Sequence, residues 1–160
     1  MTKKALALVL FLGIVFPLSA GAEDSLVRFE GGIGVIPVRS GPAPNVVRGV
    51  NPGGQPWVIK SLSVDITMDG QIVAVGEGVL LGGGDNIGTN GGQSVGATLF
   101  CANDGNVQHK SGAVPLEPNG DFEIDSMLSP APPNPCENPV LLIRGGAGNG
   151  NWFAAGIPKQ

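Results

Sequence analysis

The chain lacks several features that would point to a known class of function. Its 160 residues include no tyrosine, one histidine and two cysteines, and only 14% of them are charged. The basic residues that follow the N-terminal segment are scattered, whereas nucleic-acid binding requires clustered positive charge. Beyond that segment, no stretch is apolar enough to span a bilayer. We therefore expect neither a nucleic-acid partner nor stable membrane anchoring.

The N-terminal segment predicts export. A basic start is followed by an apolar run from Ala5 to Leu18 and by Ala20-Gly21-Ala22, a small-residue cleavage site. These are the three parts of a secretory signal peptide, and the apolar run is shorter than the roughly 20 residues of a membrane-spanning helix. We expect a signal peptide at 1–22 and a single β domain at 23–160. The protein would then reside in the periplasm or outside the cell.

The two cysteines, Cys101 and Cys136, both lie in the exported part. Two cysteines in an oxidising compartment most simply pair with each other. By the loop-entropy model, such a bridge stabilises the fold by about 3–4 kcal/mol. The sequence therefore predicts a Cys101–Cys136 disulfide.

The distribution of apolar residues predicts an all-β fold. The chain has 27 glycines and 14 prolines, and no window keeps helical periodicity for three turns without one of them. Runs of period two are frequent instead, and "PVLLIR" (139–144) is continuously apolar, as in a central strand covered on both sides. The strand spacing predicts an antiparallel β-sandwich of about eight or nine strands. A small closed β-barrel is the alternative.

Two hairpins can be predicted in detail. Asp69-Gly70 suits a two-residue loop, which would pair Ile66 with Val73 and Val64 with Val75.

In the second hairpin, Pro118-Asn119-Gly120 suits a three-residue loop with glycine in the left-handed position. This loop would set Leu116 opposite Phe122 and Val114 opposite Ile124.

The glycine-rich stretch "LLGGGDNIGTNGGQS" (80–94) raises the question of phosphate or calcium binding. No lysine follows the glycines as in a Walker loop, and the dinucleotide fingerprint fails because its third glycine position is Ile87. The acidic and amide residues do not match an EF-hand either. The stretch is predicted to be a flexible surface connection.

Asp121, Glu123 and Asp125 alternate with apolar residues, so three carboxylates share one strand face. They are candidate binding residues, either for calcium or as the acid and base of a hydrolase in which Asp65 or Glu77 would act across a cleft. The favoured interpretation is the solvated face of an edge strand, guarded by charge against strand addition. No cofactor is expected, and calcium is the one weak alternative.

His109 lies in the polar stretch "NVQHKSG" and is predicted to be exposed. A single histidine without two cysteine pairs matches no zinc motif, and no G-x-S-x-G elbow indicates a nucleophile. Trp152 and Phe153 are adjacent, so one of them should face outward from a strand. Trp152 is therefore a further candidate for ligand contact.

Four segments, "RFEGGIGVIPV", "NVVRGVNPGGQPWVI", "LSPAPPNPC" and "PVLLIR…WFAAGIPK", resemble small exported bacterial proteins of unknown function. The resemblance covers nearly all of the chain after the signal peptide. It implies export and a single domain, and it carries over no site residue.

The leading hypothesis is an exported, non-catalytic β-sandwich that binds an unknown ligand or protein partner, or has a structural role. A carboxylate-dependent secreted hydrolase is one alternative and requires carboxylates that converge in a cleft, one of them with a raised pKa. A small barrel holding an apolar ligand is the other, with Val64, Ile66, Val73 and Val75 lining its cavity.

Overall fold

A computed structural model describes residues 24–37 and 45–159, so the predicted signal peptide lies outside the described residues. Within these ranges nearly all of the regular secondary structure is β-strand, and no helix is long and apolar enough to cross a membrane. The strands are β1 (Ser25–Gly34), β2 (Trp57–Val58), β3 (Ser61–Thr67), β4 (Gln71–Glu77), β5 (Leu80–Leu81), β6 (Ser94–Phe100), β7 (His109–Lys110), β8 (Val114–Pro115), β9 (Phe122–Met127), β10 (Val140–Arg144) and β11 (Trp152–Pro158). A 3₁₀ turn spans Ala102–Asp104, and a short helical turn, α1, spans Gly145–Gly148.

Nine strands form one antiparallel sheet in the order β7-β6-β10-β11-β1-β3-β4-β9, with β8 also paired to β6. The sheet is strongly curled into a half-barrel, and β2 and β5 form a small second sheet. The two ends of the main sheet meet where Lys110 and Ser129 exchange backbone hydrogen bonds of 3.0 and 2.9 Å. The predicted antiparallel all-β fold is therefore confirmed, with most of its strands in one curled sheet.

The space enclosed by the curled sheet is filled by apolar side chains. The largest fully buried ones include Phe29, Ile66, Leu99, Ile124 and Leu141, which come from five different strands. The predicted central strand is β10, which lies between β6 and β11 and is buried over nearly its whole length. A filled interior of this kind stabilises the fold through the apolar area that it removes from water.

The β3–β4 hairpin differs from its predicted register. Its loop has three residues, Met68-Asp69-Gly70, and Ile66 lies opposite Ile72. Gly70 alone in the loop has a positive φ (91°), whereas a two-residue type I′ loop needs positive φ at both positions. The Thr67 hydroxyl donates to the Asp69 carboxylate and accepts from the Gln71 amide, so side chains also hold the three-residue loop.

The change of register moves Val73 and Val75 to the outer face of the sheet. Their exposed fractions are 39% and 44%, whereas Ile72 and Ala74 are fully buried. The pairing predicted for Val73 and Val75 is therefore wrong. These two residues line no internal cavity, although Val64 and Ile66 are part of the core, as expected.

The second predicted loop is confirmed. The Glu117 amide donates to the Asp121 carbonyl at 2.9 Å across Pro118-Asn119-Gly120, and Gly120 has φ 86°. Beyond the loop the two strands separate, because Val114 pairs with Val95 of β6 instead of Ile124.

Candidate functional site

The surface has a cleft of about 710 Å³ beside the β2–β5 sheet. Three segments form its wall: residues 53–57, the glycine-rich stretch after β5, and the turn between β10 and β11. We call it the amide cleft, because glycines, side-chain amides and three apolar side chains line it and none of the lining residues is charged. The lining residues are Gly53, Gly54, Gln55, Trp57, Leu81, Asn86, Gly91, Gln93, Gly145, Gly146, Asn149, Gly150, Asn151 and Phe153.

An aromatic pair forms the floor of the amide cleft. The rings of Trp57 and Phe153 stack with their centroids 4.2 Å apart and their planes 19° from parallel. Two glycines pack closely against them: a Cβ on Gly53 would lie 3.0 Å from the indole ring, and one on Gly145 would lie 3.1 Å from Cζ of Phe153. The backbone at these two glycines therefore packs against the two rings, and Trp57 and Phe153 are each only 6% exposed.

Trp152 and Phe153 are both buried, so the expectation that one of them faces outward is wrong. Strand β11 lies between β10 and β1 in the sheet, and the segment before β2 packs on it through a bridge between Pro52 and Trp152. The indole nitrogen of Trp152 donates to the Asn45 carbonyl at 3.2 Å, so this residue fixes the segment before β2. Of these two adjacent residues, Phe153 and not Trp152 lines the amide cleft.

The glycine-rich stretch forms one wall of the cleft. It lies on the surface, as predicted, and is closed by backbone hydrogen bonds from the Gly88 amide to the Leu81 carbonyl (2.8 Å) and from the Leu81 amide to the Thr89 carbonyl (2.9 Å). The Asn90 side chain ties it to the Leu116 carbonyl at 2.7 Å. The loop is thus held in a defined shape that the sequence did not predict.

Arg144 holds the opposite wall, the turn that contains α1. Its guanidinium is buried and donates from Nε to the Gly150 carbonyl at 2.8 Å and from Nη1 to the Gln108 side chain at 3.0 Å. Burial lowers the pKa of Arg144 from its ordinary value. Because the hydrogen bonds of this cation go to neutral groups of the protein, it positions the turn without placing a charge in the cleft.

Three amides of the cleft have no side-chain hydrogen bond to any of the described residues. They belong to Gln55, Asn86 and Asn151, one from each wall segment. Each amide offers two donor hydrogens and one acceptor oxygen. The amide cleft therefore presents hydrogen-bonding groups of both kinds toward solvent, above an aromatic floor.

A second cleft, of about 510 Å³, lies between β4, β8 and β9 and contains part of the predicted acidic face. We call it the acidic cleft. Its carboxylates are Glu77, Glu117, Asp121 and Glu123. Asp125 lies outside it and accepts from the Gln71 side chain at 3.1 Å, and Asp65 is paired with Arg28 at 2.7 Å on the outer face.

Protein groups already bind two of the carboxylates in the acidic cleft. Glu77 pairs with Lys60 at 2.9 Å, and this hydrogen bond and charge hold the pKa of Glu77 below its ordinary value. A general acid needs the opposite shift. Asp121 accepts from the Gly78 amide at 2.9 Å and from Asn119 at 2.7 Å. Both side chains therefore have structural contacts.

The predicted disulfide joins Cys101 and Cys136, whose Cα atoms are 5.0 Å apart. His109 lies beside it and is 2% exposed, so its predicted exposure is wrong. Pairing of His109 with Leu99 turns the ring inward, and both ring nitrogens have partners: Nδ1 lies 2.9 Å from the Pro130 carbonyl and Nε2 lies 2.6 Å from Asp104 Oδ2.

Comparison with known proteins yields no relative: no family model, no curated protein and no solved structure matches the chain significantly. Function must therefore be inferred from the clefts and side-chain clusters themselves.

Proposed function

We propose that the protein is an exported, non-catalytic binding module and that the amide cleft is its ligand site. The observation that carries this proposal is the set of amides on Gln55, Asn86 and Asn151, which face an uncharged cleft without partners among the described residues. Unpaired polar groups of this kind, placed around an apolar floor, are typical of small-molecule sites. The disulfide and the N-terminal segment support export.

The chemistry of the cleft favours an uncharged saccharide as the ligand. Sugar hydroxyls donate and accept hydrogen bonds, as side-chain amides do, so the two kinds of group are complementary. The C–H faces of a sugar ring are apolar and can contact the small exposed parts of Trp57, Leu81 and Phe153 that border the cleft. Since no charged residue lines the cleft, it offers no compensation for the desolvation of an ionic ligand.

The test is a screen of the purified exported protein against neutral and charged oligosaccharides, followed by calorimetric titration of any hit. Gly54→Trp should fill the cleft without strain, because a Cβ at Gly54 meets no atom within 4 Å. We expect it to weaken binding by about a hundredfold or more, equivalent to roughly 2.7 kcal/mol.

Gly112→Trp is the matched control, because Gly112 is equally open and lies outside the cleft. It should leave the affinity unchanged. Gln55→Ala and Asn151→Ala should each weaken binding, whereas Gln71→Ala, an amide outside the cleft, should not. A hit whose affinity survives Gly54→Trp, or a preference for charged sugars, contradicts the proposal.

A further inference from the structure

The disulfide lies within a cluster of side chains that are typical metal ligands. The Cys101 sulfur, a carboxylate oxygen of Asp104 and a ring nitrogen of His109 all lie within 4.8 Å of one another. Cys136 is bonded to Cys101 and lies next to this group of three, so its sulfur becomes a possible fourth ligand once the bond is broken. Two sulfurs, one imidazole and one carboxylate are ligands that zinc accepts in tetrahedral sites.

A tight reversal of the chain brings three of these ligands together. Cys101 follows the end of β6 and is fully buried. The 3₁₀ turn that comes next ends at Gly105, whose left-handed conformation (φ 73°) reverses the chain, and β7 returns along β6 from His109. The pattern C-x-x-D-x-x-x-x-H is thus folded into one compact unit.

The hydrogen bonds around this unit match those of a metal site. The Pro130 carbonyl can only accept, so Nδ1 of His109 carries a hydrogen and Nε2 is the nitrogen that faces Asp104. A histidine ligand is commonly oriented in this way by a carbonyl behind it. Asp104 Oδ1 is buried and has no hydrogen-bond partner among the described residues, so this carboxylate keeps a strong acceptor atom unsatisfied.

Cys136 is held beside Cys101 by contacts other than the disulfide. The Asn103 side chain donates to the Pro135 carbonyl at 2.8 Å and accepts from the Glu137 amide at 3.2 Å. The Ala102 amide donates to the Glu137 carbonyl at 2.7 Å. These three hydrogen bonds flank Cys136 on both sides, so the two sulfurs should stay close to each other after reduction.

We propose that Cys101, Cys136, Asp104 and His109 bind one Zn²⁺ ion when the disulfide is reduced. A dithiol reductant breaks the Cys101–Cys136 bond by transferring two electrons, and is itself oxidised to its disulfide while both cysteines become thiols. Zinc then displaces the two thiol protons, and the proton between His109 and Asp104 also leaves to solvent. The oxidised protein lacks the two thiolates and does not form this site.

The test compares zinc binding by the oxidised and the dithiol-reduced protein under anaerobic conditions. We expect one zinc per reduced chain and none per oxidised chain, measured by mass spectrometry of the bound metal. With Co²⁺ as the probe, the reduced chain should show the intense d–d bands of a tetrahedral ion and a thiolate-to-cobalt charge-transfer band. Bound zinc should also protect both thiols from alkylation.

Variants separate this site from binding by the thiols alone. His109→Gln and Asp104→Asn should each weaken zinc binding to the reduced chain by at least about tenfold. A loss of that size in metal affinity is typical even when only a hydrogen-bond partner of a metal ligand is changed. Asp85→Asn, a carboxylate on the exposed glycine-rich loop, should leave binding unchanged. Circular dichroism of the oxidised variants shows whether they fold.

Two outcomes overturn the proposal without depending on any variant. One is that the reduced wild-type chain binds no more zinc than the oxidised chain. The other is that zinc fails to produce the native near-ultraviolet dichroism in the reduced protein. Equal zinc affinity in wild type, His109→Gln and Asp104→Asn also overturns it.

Discussion

The amide cleft and the acidic cleft differ in what their polar side chains contact. In the acidic cleft, Glu77 binds Lys60, and Asp121 binds the Gly78 amide and Asn119. In the amide cleft, Gln55 and Asn86 have no such partner among the described residues. The protein itself thus binds two carboxylates of the acidic cleft, whereas three side-chain amides of the amide cleft have no partner among the described residues.

This difference shows why charge alone is a weak guide to a site. A carboxylate that accepts hydrogen bonds from the protein contributes to stability, and releasing it for a ligand costs the free energy of those bonds. An amide without a partner is free to bind a ligand at no such cost. Glu77 and Asp121 are therefore engaged by the protein, which makes the amide cleft the candidate that we favour for binding.

The largest expected effect concerns the floor of the amide cleft. Phe153→Ala removes a buried ring that stacks on Trp57, so we expect it to lower the free energy of unfolding by about 3–5 kcal/mol. Chemical denaturation provides the measurement. Val75→Ala, on the exposed face bordering the acidic cleft, is the control and should change stability by no more than about 0.5 kcal/mol. Similar losses in the free energy of unfolding in both variants would show that Phe153 is no more important to the core than the exposed Val75.

A smaller effect is expected from the acidic cleft. Asp121→Ala leaves the Gly78 amide and Asn119 without their acceptor, so the free energy of unfolding should fall by about 1–2 kcal/mol, measured by urea denaturation. Glu123→Ala changes a neighbouring exposed carboxylate and should have little effect. A fully stable Asp121→Ala variant would show that this carboxylate is free, and would favour a functional acidic cleft.

The sequence predicts the fold better than the details of its hairpins. The continuously apolar run "PVLLIR" predicts a central strand covered on both sides, and β10 is buried over nearly its whole length. The register of β3–β4 is not determined in the same way, since Ile72 and Ala74 are as suitable for burial as Val73 and Val75. Turn geometry decides between them, and one positive φ at Gly70 selects the longer loop.

The candidate site is largely invisible in sequence. Its amides come from positions 55, 86 and 151, and no local motif links residues so far apart in the chain. Trp57 and Phe153 become neighbours only because β2 packs over β11. His109 has a local signal, its spacing from Cys101 and Asp104, but that pattern matches no familiar zinc motif, so exposure in a polar loop was the natural expectation.

The smallest expected effect is the pH dependence of the Lys60–Glu77 pair at the edge of the acidic cleft. The hydrogen bond and charge of Lys60 lower the pKa of Glu77 from 4.5, and those of Glu77 raise the pKa of Lys60 from 10.5. The contribution of Glu77 to stability is therefore complete above pH 4.5 and is lost as the pH falls through its folded pKa. The contribution of Lys60 is complete below pH 10.5 and is lost as the pH rises through its folded pKa.

Because both side chains are exposed, the effect of this ion pair on stability should be small and weakened by salt. Thermal melts of wild type and Glu77→Gln should differ most between these two limits and converge in acid. A constant difference in melting temperature down to the lowest pH would show that the stabilising contact of Glu77 does not depend on its charge. The polar contacts of the acidic cleft would then resemble the neutral ones of the amide cleft.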